Sequence, residues 1–529
     1  MTSESGGVTN LGAVYDATAR VDPSRVAVID DASETSITYG ELAARVARIA
    51  TNLESLDVDE GDRVALCYPN GVEYLAATLA VARIGAVPVP VNLELSREKL
   101  SYIFDDCGSR LVLVSDESTV DDDVASALKR AEVVETVAVH SATTTLSLDP
   151  VTVRTLDGNA SGTDMHTAAD VAASTPAMQP YTSGSTGRPK GVVLTHGGIE
   201  WCTKAFVDHL SLDESDRGLV VTPLYHKNAM TGVVKPMLLS GGSVVVLREF
   251  DSEAAIEALA GHKVTYMTGV PAIYKRLVTA FDGGDRAEMS SLSWASCGSA
   301  AVPDSLVAAF EQTFDADLLE VYGLTESGPV VTHSPREGAR KLGSAGTPLP
   351  DVDTRVVDPD TGDEVQANDT GELWVSNPGL GTYYERPEAN AERFVSRDGR
   401  RFLRTGDLVR KDEEGYHYIV GRLDDMMVVG GENLYPADVE NRLLKHDAVA
   451  DVAVVSVPHR EKGEVPVAFV VRDGPVSSED LKTFALTNGP AFAYPRRIYF
   501  ESHLELSGTG KVDVQALRER AITDIGEQL

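Results

Sequence analysis

The sequence predicts an α/β protein. A large N-terminal domain, residues 1–423, holds two wound αβαβα subdomains and a small β-barrel; a smaller α+β domain, residues 424–529, follows. Three observations predict this. Short apolar runs alternate with helical apolar spacing from Leu11 to about Asp170, the alternation resumes after residue 191, and from Asp351 the texture changes to short strands with Gly and Asp turns. Strands alternating with helices make parallel sheets covered on both faces, whereas closely spaced strands with turn residues make antiparallel ones.

In order, residues 1–10 read as disordered. Arg63–Tyr68 (RVALCY) is a short apolar strand, Gly71–Ile84 has helical spacing, Ala86–Val91 is extended, Arg97–Cys107 is helical, and Leu111–Ser115 is a strand. Ser141–Ala177, rich in Thr, Ser, Ala and Asp, reads as a connector. The second series runs through a strand at Gly218–Pro223, a helix at Thr231–Leu239 and a strand at Gly242–Leu247. It continues with a helix at Ser252–Ala260, a strand at Val264–Met267 and a helix at Ala272–Phe281. The segments TRVVDPDTGDEV, GELWVSN and RFLRTGDLVRKDEEGYHYIVGR supply the small barrel or sheet. Beyond a boundary at Asp424, strands are expected near Val452–Val457 and Val465–Val471. No internal repeat has a convincing period.

Composition narrows the function classes. At 529 residues the chain exceeds what one core holds. No apolar run reaches the roughly 18 residues that span a bilayer, and MTSESGGVTN has neither a cationic nor an apolar signal region. Cys67, Cys107, Cys202 and Cys297 are scattered without CxxC spacing, as expected of reduced thiols in a cytoplasm. Lys plus Arg total 47 against 81 for Asp plus Glu, a net charge of −34, with the acid spread along the chain. Such a surface repels nucleic acid. It fits a protein of a salt-loving organism, where concentrated salt screens self-repulsion, or an ordinary acidic enzyme.

Within this acidic chain, Tyr181–Gly191 (YTSGSTGRPKG) gathers three glycines, four Ser/Thr hydroxyls and two cations. Glycine wastes backbone entropy and Ser/Thr compete for backbone hydrogen bonds, so the run is a loop. Its amides and hydroxyls can turn to an anion, with Arg188 and Lys190 adding charge; alternatively it is a mobile surface loop that binds nothing. The spacing departs from GxxxxGK[ST], which argues against a P-loop NTPase.

Four further motifs follow in order: VYGLTES at Val321–Ser327, RTGD at Arg404–Asp407, GRLDDMMVVGGENLYPADVE at Gly421–Glu440 and SGTGK at Ser507–Lys511. With the loop, they resemble the adenylate-forming superfamily of acyl-CoA synthetases, luciferases and peptide-synthetase adenylation domains. The resemblance spans nearly the whole chain. DVAVVSVPHREKGEVPVAFVV makes it most similar to AMP-forming acyl-CoA synthetases.

The resemblance implies that a carboxylic acid, fatty or aromatic, reacts with ATP to give acyl-AMP and pyrophosphate, and that the acyl group then passes to CoA. It implies that Thr182, Ser183, Gly184, Ser185, Thr186, Gly187 and Lys190 hold the β- and γ-phosphates, and that Lys511 stabilises charge at the α-phosphate. Glu326, with Thr182, is the implied Mg²⁺ site, since this hard cation prefers carboxylate and phosphate oxygen. Gly298, Ser299 and Ala300 lie against adenine opposite Tyr322, with Glu320, Gly323 and Thr325 nearby; otherwise SCGSAAVP is a tight strand-to-helix turn. Asp407 accepts from the ribose hydroxyls and Arg422 holds the ribose–phosphate side.

His226 stands at the acyl-pocket entrance by resemblance, or is a core histidine; Lys227 contacts an acyl tail or solvent. Trp201, His226, Lys227, Thr268, Gly269, Gly298 and Gly323 are the expected pocket walls. The implied hinge of a mobile C-terminal domain is Asp424, and Gly430 and Gly431 leave room for pantetheine. Met427 and Val428 replace a lysine that relatives carry there. Arg496 and Arg497 meet CoA phosphates or form a solvated face. The alternatives are a protein that loads a carrier instead of CoA and a non-catalytic nucleotide binder. The expected form is a cytoplasmic monomer or homodimer without an integral membrane segment.

Overall fold

The computed structural model describes residues 10–140, 144–156, 165–182, 188–281, 289–328, 330–505 and 512–525. They form two compact units: residues 1–353 with 375–403, and residues 354–374 with 404–529.

The first unit is built on two wound sheets. Strands Val87–Pro90, Arg63–Cys67, Leu111–Val114, Thr136–Val139 and Thr152–Thr155 lie in that order, all parallel. The return helix Val72–Arg83 is buried along nearly its whole length, so its apolar residues run all round rather than along one stripe. Arg83, 2% exposed, donates to both Asp16 oxygens at 2.9 and 3.1 Å, and this pairing tolerates a buried guanidinium.

Two expectations change here. Residues 141–177 are not wholly a connector, because Thr152–Thr155 is the sheet's edge strand and Pro176–Met178 a strand of a smaller sheet. TVRT exposes alternate residues and carries too little apolar surface to be seen in the sequence. The N-terminal segment also does not belong wholly to the first sheet. Strand Val26–Asp30 pairs in parallel with Ser243–Val246, Val28 opposite Val244, and carries the antiparallel Thr35–Thr38. This pairing spans more than 200 residues and leaves no local sequence cue.

The second sheet therefore has nine strands. From the N-terminal hairpin it runs through Ser243–Val246, Arg217–Val220, Tyr266–Gly269, Trp294–Gly298 and Asp317–Tyr322 to two short antiparallel strands, Thr332–His333 and Thr347–Pro348. A smaller antiparallel sheet joins Lys190–Thr195 to Pro176–Met178, Tyr181–Thr182 and Thr382–Tyr383.

In the second unit, Arg400–Lys411 passes from one unit into the other and pairs there with His417–Arg422. Asp424 falls inside this unit, in the turn after that pair. The C-terminal sheet holds Glu432–Leu434, Met427–Val429, Gly463–Arg472 and Val449–His459, with Arg497–Glu501 parallel to Gly463–Arg472. Along Val449–His459, Val452 and Val454 enter one core while Ala453, Val455 and Val457 enter the other. Both faces are buried, which explains the continuous apolar run.

Candidate active site

The two arms of the Gly/Ser-rich motif are set by strand pairing: Thr182 faces Lys190, and Tyr181 faces Gly191. Ser183, Gly184, Ser185, Thr186 and Gly187 lie outside the described residues. Asp106, on the helix Arg97–Cys107, anchors the base. Its carboxylate accepts from the Tyr181 hydroxyl at 2.7 Å, from Tyr102 at 3.0 Å and from Arg386. Burial, with the Asp106 charge beside it, holds the Tyr181 phenol far above its usual pKa, so it stays a donor. Arg188 lies over the Tyr102 ring, 5.3 Å from its centroid.

Lys190 lies over the ring of Tyr383, its amine 5.3 Å from the centroid. Tyr383 pairs with Val192 on the strand Lys190–Thr195, and its hydroxyl donates to Glu326 Oε1 at 2.9 Å. Burial first, then the Glu326 carboxylate, pushes the Tyr383 phenol up to about 12. The Gly381 amide donates to the Glu326 carbonyl at 2.9 Å. Sequence reasoning missed Tyr383; its only local sign was the aromatic pair Tyr383–Tyr384. Among the described residues no three His, Cys, Asp or Glu side chains form a metal cluster. A single carboxylate such as Glu326 is compatible with Mg²⁺, which takes one or two carboxylates and fills the rest from phosphate and water.

The residues expected to meet the nucleotide lie at the carboxyl ends of adjacent parallel strands, the usual ligand crevice of a wound sheet. Gly298 ends Trp294–Gly298 beside Val321 of Asp317–Tyr322. A Cβ at Gly298 would stand 2.3 Å from the Val321 carbonyl oxygen, so no larger residue fits. Ser299 follows with φ +68°, a left-handed conformation that turns the chain sharply toward the exposed Ala300. Tyr322, Gly323 and Thr325 lead from the strand into Glu326. Glu320, on the same strand, has its carboxyl raised to about 8 by burial first and by Asp304 second, against a donated Gly343 amide.

Beside these ends opens a small cleft of about 40 Å³. Phe206, Val321 and Val330 form apolar walls, and Lys227, Asn228 and Thr268 bring polar groups. Lys227 does not point away to solvent: its amine donates to the Gly323 carbonyl at 2.6 Å. Thr268 donates to Asn228 Oδ1 at 2.8 Å. Four expected wall residues line the cleft, namely Lys227, Thr268, Gly298 and Gly323. Trp201, His226 and Gly269 do not. Trp201 lies against Gly379 instead, and His226 caps the short helix Lys227–Ala229, its Nδ1 accepting from the Asn228 amide at 3.3 Å. Phe206 and Val330 went unseen because they come from a helix and a loop with no motif.

In the second unit Asp407, 5% exposed, faces Arg422 across paired strands, with Arg422 Nε 3.6 Å from Asp407 Oδ1. The buried Glu372 braces the RTGD turn by accepting from Arg404 at 3.0 Å, the Gly406 amide at 3.2 Å and Trp374 at 2.9 Å. Gly430 and Gly431, at φ +64° and +95°, are the two-residue turn of the hairpin Met427–Leu434, a geometry that calls for glycine without any ligand. Lys511 lies outside the described residues.

The model of the AMP-binding enzyme family matches residues 15–385, and that of the AMP-binding enzyme C-terminal domain matches residues 438–511. A feruloyl-CoA synthase of Amycolatopsis sp is 36% identical over 509 residues, 95% of this chain and 97% of the relative. An indoleacetate–CoA ligase of Aromatoleum aromaticum is 31% identical, covering 95% and 96%. The ATP-bound crystal structure of MatB from Rhodopseudomonas palustris superposes with a TM-score of 0.86 at 30% identity, covering 98% of this chain and 99% of that one.

Proposed function

We infer the course of the reaction from one premise: this chain belongs to the AMP-binding enzyme family and is an AMP-forming acid–thiol ligase that makes acyl-CoA. A carboxylate oxygen attacks the α-phosphorus of ATP, the carboxylate–phosphorus bond forms, and pyrophosphate leaves. The CoA thiol then attacks the acyl carbonyl, loses its proton, and expels AMP.

The observation that carries the assignment of roles is the convergence of Lys190, Tyr383 and Glu326 beside the Gly/Ser loop, from positions up to 193 residues apart (383 − 190). Lys190 and the loop residues 182–187 hold the departing phosphates, an arrangement that spares positive charge for where negative charge builds. Glu326, oriented by the Tyr383 hydroxyl, offers its second oxygen to Mg²⁺, with Thr182 alongside. When bound, Mg²⁺ neutralises phosphate charge. Gly298, Ser299, Ala300, Glu320, Tyr322, Gly323 and Thr325 receive the adenine side; Asp407 and Arg422 receive the ribose; Lys511 serves the α-phosphate.

The acid is proposed to be an aryl acid rather than a long aliphatic one. A small cleft with Phe206, Val321 and Val330 as apolar walls supports this. For the second half-reaction Asp424 is the proposed hinge, and Gly430 and Gly431 the proposed pantetheine contact. The distributed charge of −34 supports work in concentrated salt. Assaying AMP and acyl-CoA formation from a panel of aryl and aliphatic acids, in molar KCl with Mg²⁺, tests the reading. Turnover confined to long aliphatic acids would overturn the substrate assignment.

A further inference from the structure

One buried charge has no part in these steps. Lys235 opens the helix Lys235–Ser240, directly after the turn Met230–Val234 whose Thr231 and Gly232 line the cleft. It is 2% exposed, and among the described residues its amine makes no hydrogen bond and no ion pair. An isolated buried ammonium costs several kcal/mol, so an apolar residue of similar length would be the more stable choice. Burial lowers the Lys235 pKa to about 8. Cys202 is its neighbour, but burial raises that thiol's pKa, so no thiolate stands as counter-ion.

The surroundings place Lys235 behind the inner wall of the cleft. Cys202 lies one turn before the lining residue Phe206 on His196–Leu210, and the Val330 backbone, Lys227 and Lys235 all bear on its thiol. Among the described residues the cleft lining carries no acidic side chain. A cation kept without a protein partner, in a chain of net charge −34, is explained if the partner arrives with the substrate. The reacting carboxylate is not that partner, because it belongs at the nucleotide end, beside Gly298, Ser299 and Gly323.

We propose that Lys235 selects acids bearing an oxygen at the end remote from the reacting carboxylate, a phenolic hydroxyl or a second carboxylate on a compact apolar body. Lys235 stands one helical turn after the lining residue Thr231, and its flexible four-carbon stem gives the amine reach toward that end of the cleft. The proposal rests on the acyl-adenylation reading above and narrows it to a substrate class.

The test compares kcat/KM for two pairs of acids, 4-hydroxycinnamate with cinnamate and octanedioate with octanoate. The wild-type enzyme is expected to favour the oxygen-bearing member of one pair by more than about tenfold, and the favoured pair separates phenol from carboxylate. Lys235→Met should abolish that preference while keeping turnover of the bare acid, with an unfolding temperature at or above that of the wild type. Lys235→Gln, which keeps a donor, should restore part of the preference, and it carries the test alone if the Met variant does not accumulate. Indifference of the wild type in both pairs, or a preference that survives both substitutions, overturns the proposal while cinnamate or octanoate turnover leaves acyl adenylation standing. No pyrophosphate from any acid would sink both.

Discussion

The Tyr383 hydroxyl donates to Glu326 Oε1 at 2.9 Å while the Tyr383 ring carries Lys190 above it. One side chain thus ties the proposed Mg²⁺ ligand to the cation of the phosphate loop. Tyr383 is a positioning residue: removing its hydroxyl leaves Glu326 free to rotate and the loop lysine still stacked. Tyr383→Phe should lower pyrophosphate release by about tenfold and raise the Mg²⁺ concentration needed for half-maximal rate, with thermal stability little changed. An unaltered Mg²⁺ dependence would separate Tyr383 from the metal.

Lys511→Ala should reduce adenylate formation by more than about 100-fold, because a charge aimed at the α-phosphate acts mainly in the transition state. Thioester formation from supplied acyl-AMP should be largely retained. Equal loss in both half-reactions, measured by single turnover, would contradict the role given to Lys511.

Glu320 makes a pH prediction. Its carboxyl is raised from 4.5 to about 8, so the folded protein holds the proton that the unfolded chain gives up. The stability it contributes is fully present below about pH 4.5 and is lost as pH rises through about 8. Glu320→Gln should therefore gain on the wild type between pH 5 and pH 9 in denaturant titrations at fixed salt. Parallel curves for the two proteins would refute the assignment.

The turn glycines can be tested for two roles at once. Gly430→Ala, at φ +64°, should cost about 1 kcal/mol in thermal unfolding, whereas Gly430→Asn should cost less because Asn tolerates the left-handed region. If Gly430→Asn preserves stability yet slows CoA thioester formation, the pantetheine contact stands. Unchanged thioester formation would leave Gly430 a turn residue only.

Much of this molecule was legible in its sequence, for physical reasons that differ by element. Helix Arg97–Cys107 and the first-sheet strands Arg63–Cys67, Val87–Pro90 and Leu111–Val114 were found because their apolar periodicity is local. Asp407 and Arg422, each assigned to the ribose side by resemblance, stand opposite each other across paired strands, a pairing that no local pattern announces. The hairpin at Val26–Thr38 went unassigned to its sheet because parallel pairing depends on a strand beyond residue 240. Tyr383 was missed because its meaning lies in a contact with Glu326, not in a motif. Trp201 and His226 were expected in the acyl wall by analogy, whereas the cleft beside the strand ends is lined by Phe206 and Thr231 from helical segments and by Val330 from a loop.

The most direct test of the whole account is acid-dependent exchange of labelled pyrophosphate into ATP, run with Mg²⁺ in molar KCl and without CoA. The account predicts label in ATP only when a carboxylic acid is present, strongly reduced in Lys511→Ala. No exchange with any acid, or exchange that needs no acid, would contradict it.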